Sequence, residues 1–264
     1  MYIVLGNNSS KREALLQKIK EFRLLDDDFM SRVFDGNIEC TELVLRIILD
    51  KPDIKVREVH TQREIKNLLG RSVRLDIDAR DMDDEPIDVE IQRSDRGAGV
   101  KRARYNSSLM DANTLVRSED YDRLPESYVI FITENDVMES NLPVYHADRI
   151  VLETGKPLGD GAHIVYVNGA YRDESPIGKL MHDFSCKNPS DMYYKPLAEQ
   201  VRYYKEDAEG VEAMCRIVEE LIDSEKKEIA LELLKLNKLS LEEIAKCSKL
   251  SLEEVERIAK DENI

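Results

Sequence analysis

A strict alternation of apolar and polar residues on both sides of a short acidic turn most limits what this chain can fold into. From position 73 to position 80 every second residue is apolar, and the residues between them are charged. The same period resumes at Ile87 and runs to Gln92. Because neighbouring side chains of a β-strand point to opposite faces, each run is typical of a strand with one polar face. The short turn between the two runs predicts an antiparallel hairpin.

The register of this hairpin follows if its turn is centred at position 83. Asp76 then faces Glu90, and Asp78 faces Asp88, all on the polar face. Like charges that oppose each other across two strands destabilise a sheet unless water, salt or a cation offsets them. Two interpretations are therefore open. The hairpin presents either a solvated acidic face or a site for a hard cation such as Mg²⁺, which prefers oxygen ligands.

The rest of the chain predicts an α/β fold with a mixed sheet. Apolar residues at helical spacing alternate along the chain with short apolar runs that are typical of strands. Helices are predicted at 11–24, 39–49, about 100–117 and from 175 onward, and strands before Gly70 and at 127–133. Residues 148–155 and 162–168 are predicted to form a further strand pair around Gly159-Asp160-Gly161. The run at 127–133 is almost continuously apolar, which indicates a strand buried on both faces.

The charge balance restricts where nucleic acid can bind. The 264 residues include 54 acidic and 39 basic ones, a formal charge of −15, so the chain as a whole repels phosphate backbones. Between positions 93 and 104, however, five basic residues stand against one acidic residue. This segment is interpreted as a DNA-binding patch, with a solvated helix face as the alternative. The predicted DNA-binding residues are Arg93, Arg96, Lys101, Arg102, Arg104 and Tyr105.

Motifs of several other classes of protein do not occur in the sequence. It contains no GxxxxGK[ST], HExxH or CxxC pattern, which argues against P-loop nucleotide binding and the usual zinc sites. His182 and Cys186 are accordingly expected to be structural residues. The four cysteines are scattered, and no apolar run is long enough to cross a bilayer, so a cytoplasmic protein with reduced thiols is predicted.

The C-terminal stretch carries a short internal repeat. The sequence LSLEEI at 239–244 recurs as LSLEEV at 250–255, and in each copy a serine precedes a glutamate by three residues. This spacing forms a capping box, which starts a helix. Two short helices are therefore predicted. The second is acidic, which favours a packing or homodimerisation hairpin over a DNA-reading one.

Several motifs, in this order and spacing, resemble one nuclease family. Asp76, followed in the hairpin by Glu90-Ile91-Gln92, is similar to the D…ExK/Q core of the PD-(D/E)XK superfamily. Over about residues 22–225 the chain resembles the PD-(D/E)XK nuclease family transposases, also called recombination-promoting nucleases. The other matching motifs are Leu25–Met30, Val33-Phe34, Arg74–Ile77, Arg102, Arg104-Tyr105, Leu109–Asp111, Val129–Thr133, Tyr145-His146 and Val167–Gly169.

This resemblance implies a fold and a set of site residues. It implies a restriction-endonuclease-like core of a mixed sheet flanked by helices in residues 1–190, and a helical extension in 191–264. It implies that Asp76, Glu90 and the carbonyl of Ile91 bind Mg²⁺ or Mn²⁺. Gln92 occupies the position of the usual catalytic lysine, and Glu42 corresponds to a helical acidic residue that some members place beside the metal.

The resemblance also implies a function, namely Mg²⁺-dependent hydrolysis of DNA phosphodiester bonds in transposition or recombination. The alternative is a catalytically inactive protein of the same fold that acts as a DNA-binding or assembly module. Gln92, which carries no positive charge, and the acidic composition favour this alternative. An RNA-directed nuclease shares the same chemistry, because nothing in these residues reads the 2′-hydroxyl.

Overall fold

The computed structural model of the protein describes residues 4–67, 70–93, 95–115 and 118–262. Its contacts divide the chain into two compact units. One unit comprises residues 21–202, and the other comprises the residues up to 20 together with 203–264. The predicted division at residues 190 and 191 stays a prediction. The first helix was predicted to lie with the nuclease-like core, whereas its contacts group it with the C-terminal helices.

The unit of residues 21–202 is built on a mixed sheet, as the sequence predicts. In the described part of the chain this sheet has six strands in the order β1-β2-β3-β4-β8-β5, and β6 and β7 form a small separate ribbon. The strands are β1 (Val56–Ile65), β2 (Val73–Asp81), β3 (Pro86–Gln92), β4 (Ser127–Thr133), β5 (Val144–Ala147), β6 (Ile150–Val151), β7 (Lys156–Pro157) and β8 (Ala162–Asn168).

The predicted hairpin of β2 and β3 is present, and its register is confirmed for Asp78 and Asp88, whereas Asp76 and Glu90 lie just beyond the last paired residues. The two strands pair antiparallel from Ile77 opposite Val89 to Arg80 opposite Pro86, and Asp78 lies opposite Asp88. On its other edge β3 pairs parallel with β4, and β4 pairs parallel with β8. Strand β4 is buried along its whole length, as expected for an apolar strand at the centre of a sheet.

Helices of the same unit pack on this sheet, and one of them connects two of its strands. The described helices are α1 (Val4–Glu21), α2 (Asp27–Phe34), α3 (Ile38–Leu49), α4 (Val100–Thr114), α5 (Pro176–Ser185), α6 (Lys195–Glu206), α7 (Ala208–Leu236), α8 (Leu241–Ser248) and α9 (Leu252–Asp261). Helices α2 and α3 pack against β1. Helix α4 connects β3 to β4, and Ala103 and Met110 of this helix pack on Val129 and Phe131 of the sheet. This crossover places the start of α4 beside the end of β3.

One predicted pairing is wrong. The segments 148–155 and 162–168 were expected to pair with each other, but β8 takes β5 as its antiparallel partner. Segment 148–155 instead contributes the two residues of β6 and a turn, and β6 pairs with β7. The apolar residues of this segment predicted a strand of the main sheet, but Ile150 and Leu152 are exposed and do not contribute to its core.

In the other unit the two predicted capping boxes are present. The Ser240 side chain accepts from the Glu243 N–H and Ser251 accepts from the Glu254 N–H, while each glutamate accepts from the backbone of its serine. The apolar faces of α8 and α9 pack with Ala230 and Leu234 of α7. Homodimerisation through these helices stays a prediction. None of the helices in the described residues is both long enough and apolar enough to span a membrane.

Candidate active site

Two carboxylates come together where β2 parts from β3. The backbone pairing of the two strands ends at Ile77, next to Asp76. Beyond this point a side chain connects the strands, because Asp76 Oδ2 accepts the Ile91 N–H at 2.9 Å. Asp76 is 6% exposed and Glu90 is completely buried. The polar face of the hairpin is therefore covered, so a solvated acidic surface does not describe it.

Burial, together with nearby negative charge, raises the pKa of both acids. Desolvation raises the pKa of Asp76 to about 6, although the hydrogen bond from the Ile91 N–H opposes this. For Glu90, desolvation and the charge of Asp76 raise the pKa to about 8, against the opposing charge of Arg102. Each acid is thus held in a place that penalises its charged form, an arrangement typical of functional sites.

Behind this pair lies Asp88, on the same strand as Glu90 and equally buried. Desolvation, followed by the charge of Glu90, raises the pKa of Asp88 well above its ordinary value. The Asn106 amide Nδ2 bridges the two acids, at 3.1 Å from Asp88 Oδ2 and 3.3 Å from Glu90 Oε1. Asp88 Oδ1 and Asn106 Oδ1 have no hydrogen-bond partner among the described residues. The cluster therefore holds more oxygen ligands than donors.

A cation from α4 offsets part of this negative charge. The Arg102 guanidinium forms an ion pair with Glu90 Oε2, and its Nη1 donates to the Gly97 carbonyl at 3.1 Å. The guanidinium also lies 5.8 Å from the ring centre of Phe131. Because α4 follows β3 so closely, its first turn brings this side chain back over the end of the strand.

Gln92, the last residue of β3, also faces the cluster. Its Nε2 donates to Glu90 Oε2 at 3.4 Å. The side chain fits closely beside the 3₁₀ turn that precedes α4, because a Cβ atom at Gly97 would lie 1.8 Å from Gln92 Oε1. The absence of a side chain at Gly97 therefore creates the space that the glutamine amide occupies.

Asp76 lines a cleft of about 1020 Å³, together with Gln92 and Arg102, which both contact Glu90. Its lining carries more basic than acidic residues, in contrast to the chain as a whole. The charged residues that line the cleft are the basic Arg71, Arg74, Lys101, Arg102 and Arg104 and the acidic Asp27 and Asp76. A cleft with this balance attracts a polyanion locally despite the net charge of −15.

The predicted DNA-binding residues divide into three groups. Lys101, Arg104 and Tyr105 line the cleft, and Arg102 lines it with its guanidinium turned toward Glu90. Arg93 instead forms ion pairs with Asp26 at 3.0 Å and Glu134 at 3.6 Å. The side chain of Arg96 lies outside the residues whose side chains the structure describes.

Glu42 is not brought to this cluster. Its Oε1 accepts the Val56 N–H at 3.0 Å, and its Oε2 contacts Arg46 and Lys55. Val56 pairs with Asp81, five residues along β2 from Asp76, which is about 17 Å at the rise of a strand. In the contacts observed, Glu42 connects α3 to the start of β1.

Sequence reasoning assigned no role to several residues of the cleft. Asp27, in the first turn of α2, lines the cleft, and its charge contributes to the raised pKa of both Asp76 and Glu90. Its signal was the acidic run 26–28 at the start of a helix. Arg71, before β2, gave no signal beyond its charge, and Arg74 belongs to the matching motif Arg74–Ile77 but was assigned no role. Asn106 is buried in a helix with few apolar residues, and its sequence gave no sign of that burial.

Comparison with known proteins identifies the segment that contains this site. Neither the curated proteins nor the solved structures gave a match to the chain. A family model does match, that of the PD-(D/E)XK nuclease family transposases, over residues 42–170. This range includes every strand of the sheet and helix α4, and with them Asp76, Glu90 and Gln92. The segment that forms the sheet and the acidic pair therefore belongs to the PD-(D/E)XK nuclease family transposases.

Proposed function

We propose that this protein is a divalent-metal-dependent endonuclease that hydrolyses phosphodiester bonds of DNA and acts in transposition or recombination. The observation that carries the proposal is the buried pair Asp76 and Glu90 at the edge of a basic cleft. The family match supports a nuclease with a DNA substrate. Cleavage, the identity of the metal and the roles of individual residues are the proposal.

The residues present fit a hard divalent cation. The carboxylates of Asp76 and Glu90 and the carbonyl of Ile91 would hold it, and all three offer the oxygen ligands that Mg²⁺ and Mn²⁺ prefer. The raised pKa values of the two acids and the unpartnered Asn106 Oδ1 indicate a cluster with a surplus of negative charge and lone pairs. When bound, a divalent ion lowers the pKa of a coordinated water and offsets charge on the scissile phosphate.

Two side chains of the cleft would complete the site around the phosphate. Gln92 can orient a water or a phosphate oxygen through its amide, but it supplies no positive charge. Arg102 supplies that charge from α4, and its planar group can pair with two phosphate oxygens. Its ion pair with Glu90 holds it at the acids until a phosphate offers a second anionic partner.

The remaining basic residues of the cleft would hold the DNA backbone. Lys101 and Arg104 on α4 lie across the cleft from Arg71 and Arg74 of the β2 segment. Contacts of this kind bind phosphates without reading the sequence and weaken steeply as salt is added. The proposal therefore includes no sequence preference from these side chains.

A second candidate function rests on the same ion pair. With Glu90 already paired to Arg102 and a glutamine in the lysine position, the cleft can also bind nucleic acid without cutting it. The protein would then be an inactive member of the family that serves as a binding or assembly module. A metal requirement separates the two candidates.

Nicking of supercoiled plasmid tests the proposal directly. The wild type is assayed with Mg²⁺, Mn²⁺ or a chelator, beside Glu90→Ala and the exposed matched control Glu153→Ala. We expect metal-dependent nicking that falls at least about 100-fold in Glu90→Ala and is unchanged in Glu153→Ala. Nicking that survives in Glu90→Ala would refute the assigned site. DNA binding by the wild type without any cleavage supports the second candidate, and an RNA substrate of the same sequence tests the RNA-directed alternative.

A further inference from the structure

Three side chains with different ligand atoms converge at the C-terminal end of α5. His182 and Asp183 belong to the last turn of this helix, and Cys186 is its C-cap residue. His182 Nδ1 lies 3.3 Å from Asp183 Oδ1, and Cys186 Sγ lies 3.4 Å from the same nitrogen. One ligand atom from each residue lies within 4.8 Å of the other two. None of the three residues lines the cleft of Asp76.

These distances have the size expected for two edges of a tetrahedral metal site. With bonds of about 2.3 Å to sulfur and about 2.0–2.1 Å to nitrogen and oxygen, tetrahedral angles separate sulfur from nitrogen by about 3.5 Å and nitrogen from oxygen by about 3.4 Å. The observed separations are 3.4 Å and 3.3 Å. Cys186 Sγ also lies 3.7 Å from His182 Nε2, so the sulfur lies over the face of the ring, and the imidazole must rotate for all three ligand atoms to reach one ion.

Asp183 and Cys186 share one hydrogen-bonding atom of His182. Asp183 Oδ1 lies 3.3 Å and Cys186 Sγ lies 3.4 Å from the same ring nitrogen, Nδ1. A neutral imidazole nitrogen offers either one proton or one lone pair, so Nδ1 does not form a full hydrogen bond to both. An ion at the centre accepts a lone pair from each of the three atoms at once.

The carboxylate of this cluster is already oriented by the backbone. Asp183 is completely buried, and its two oxygens accept the N–H groups of Tyr193 and Tyr194, both at 2.8 Å. Each carboxylate oxygen has a second lone pair, so Oδ1 keeps one for a metal. The His182 ring contacts the Tyr193 ring edge-on, with 4.8 Å between centroids. Supports of this kind around metal ligands fix their orientation.

We infer that His182, Asp183 and Cys186 form a second metal site, selective for a transition metal of the Zn²⁺ class. Thiolate and imidazole ligands favour Zn²⁺ or Co²⁺ over Mg²⁺, which distinguishes this site from the all-oxygen cluster of the cleft. Binding releases the Cys186 thiol proton to solvent. The side chain of His182 is 36% exposed, which leaves a route for the ion and a fourth position for water.

The place of the cluster gives the metal a structural role. Asp183 connects the end of α5 to the backbone at residues 193 and 194. Its neighbour Phe184 accepts the Leu25 N–H at 3.2 Å, immediately before helix α2, which carries Asp27 to the cleft. An ion bound here would fix the end of α5, whose Phe184 carbonyl binds the backbone just before α2.

Titration of the full-length chain with Co²⁺ tests this inference without any activity assay. A thiolate ligand to Co²⁺ gives an intense near-ultraviolet charge-transfer band, which an all-oxygen site does not give. We expect one such site per chain, displaced by Zn²⁺, absent in Cys186→Ala and at least about tenfold weaker in His182→Gln. The matched controls are Cys247→Ala and His146→Gln, at exposed positions, and both keep the band.

The result does not depend on the nuclease proposal. The Glu90→Ala variant must keep the thiolate band, because that acid belongs to the other cluster. Absence of the band in the wild type, or its persistence in Cys186→Ala, overturns the inference. Circular dichroism confirms that each variant is folded. If Cys186→Ala does not fold, the His182→Gln variant decides the question. If that variant binds Co²⁺ with unchanged affinity, the inference is also overturned.

Discussion

The two rungs of the β2–β3 hairpin carry the same chemistry and have different surroundings. We call Asp78 and Asp88, which pair in the ladder nearer the turn, the inner rung, and Asp76 and Glu90, which lie just beyond the last paired residues, the outer rung. All four acids are buried. The inner rung is closed by an ion pair from Arg63 to Asp78, beside a pocket of about 280 Å³. The outer rung borders the larger basic cleft.

This difference shows that residue type alone does not make a site. Alternation gives both rungs two acids, but the segment from the end of β3 into α4 brings Arg102, the Gln92 amide and the larger, basic cleft to the outer rung. The inner rung serves as support, because Asn106 bridges Asp88 to Glu90 and so holds the outer acid in place. A substitution should therefore affect cleavage on one rung and stability on the other.

Among the substitutions that should affect the two rungs differently, the largest loss of cleavage is expected for Arg102. If this side chain supplies the charge that Gln92 lacks, Arg102→Ala should lower the rate of plasmid nicking about 100-fold or more. Arg102→Lys should restore part of the rate, because it returns the charge without the planar group. Arg123→Ala, at an exposed arginine outside the cleft, is the control. Equal nicking by the wild type and Arg102→Ala would remove this residue from the mechanism.

A smaller effect is expected at Gly97, which leaves space for the Gln92 amide. A Cβ atom there meets the end of a flexible side chain, so Gly97→Ala should displace Gln92 without unfolding the protein. We expect about a tenfold loss of nicking, which is about 1.4 kcal/mol, with little change in melting temperature. Gly99→Ala is the matched control, because nothing lies within 4 Å of its added Cβ. An active Gly97→Ala variant would show that the position of Gln92 does not matter.

On the inner rung the expected effect is on stability. The raised pKa of Asp88 lies above its unfolded value, so ionisation costs the folded state increasingly as pH rises above about 4. Asp88→Asn removes this cost and offers a donor near the unpartnered Asn106 Oδ1. With chelator present, we expect urea unfolding to show about 1–3 kcal/mol more stability for the variant at pH 8, and less difference at pH 4.

Asp136→Asn provides a control of opposite sign for this measurement. Although partial burial opposes the shift, hydrogen bonds from Tyr145 and the backbone lower the pKa of Asp136. Its charge therefore stabilises the fold above the unfolded pKa, and the asparagine variant should be less stable at pH 8. A destabilised Asp88→Asn at that pH would mean that the inner rung needs its negative charge.

The smallest expected effect concerns the walls of the cleft. Replacement of Lys101 and Arg104 by alanine should reduce the slope of log affinity for DNA against log salt by about two, one for each lost phosphate contact. Filter binding between 50 and 200 mM salt, with chelator to prevent cleavage, measures this slope. The double variant Lys235→Ala and Lys260→Ala, in the other unit, should leave it unchanged. An unaltered slope for the cleft variant would exclude these two side chains as phosphate contacts.

The sequence predicted those features that depend on local pattern. The alternation around position 83 gave the hairpin register, and the continuous apolar run gave β4 residue by residue. The serine and glutamate spacing gave both capping boxes. Each of these follows from neighbours in the chain, whose geometry is fixed by the period of a strand or a helix.

Features that depend on tertiary packing were not predictable in this way. A basic stripe at 101–105 looks like a solvated binding face, and only the crossover of α4 over the sheet turns Arg102 toward Glu90. The same limit explains why Glu42 was wrongly expected beside Asp76. The sequence of its helix does not show which strand the carboxylate contacts. It also explains Asp27, which reaches the cleft from a helix far away in the sequence.

The short connection from β3 into α4 has a consequence for how the molecule forms. Both acids, the glutamine, the glycine beside it, the arginine and the bridging asparagine lie between positions 76 and 106. The contacts from Glu90 to Arg102, Asp76 to Ile91 and Asp88 to Asn106 span 12, 15 and 18 residues, whereas β4 pairs with β8 across 35 residues. The chain entropy lost on closing a loop grows with its length, so the contacts of the cluster cost less to form. The reactive cluster can thus assemble among the first tertiary contacts, before the far edge of the sheet is in place.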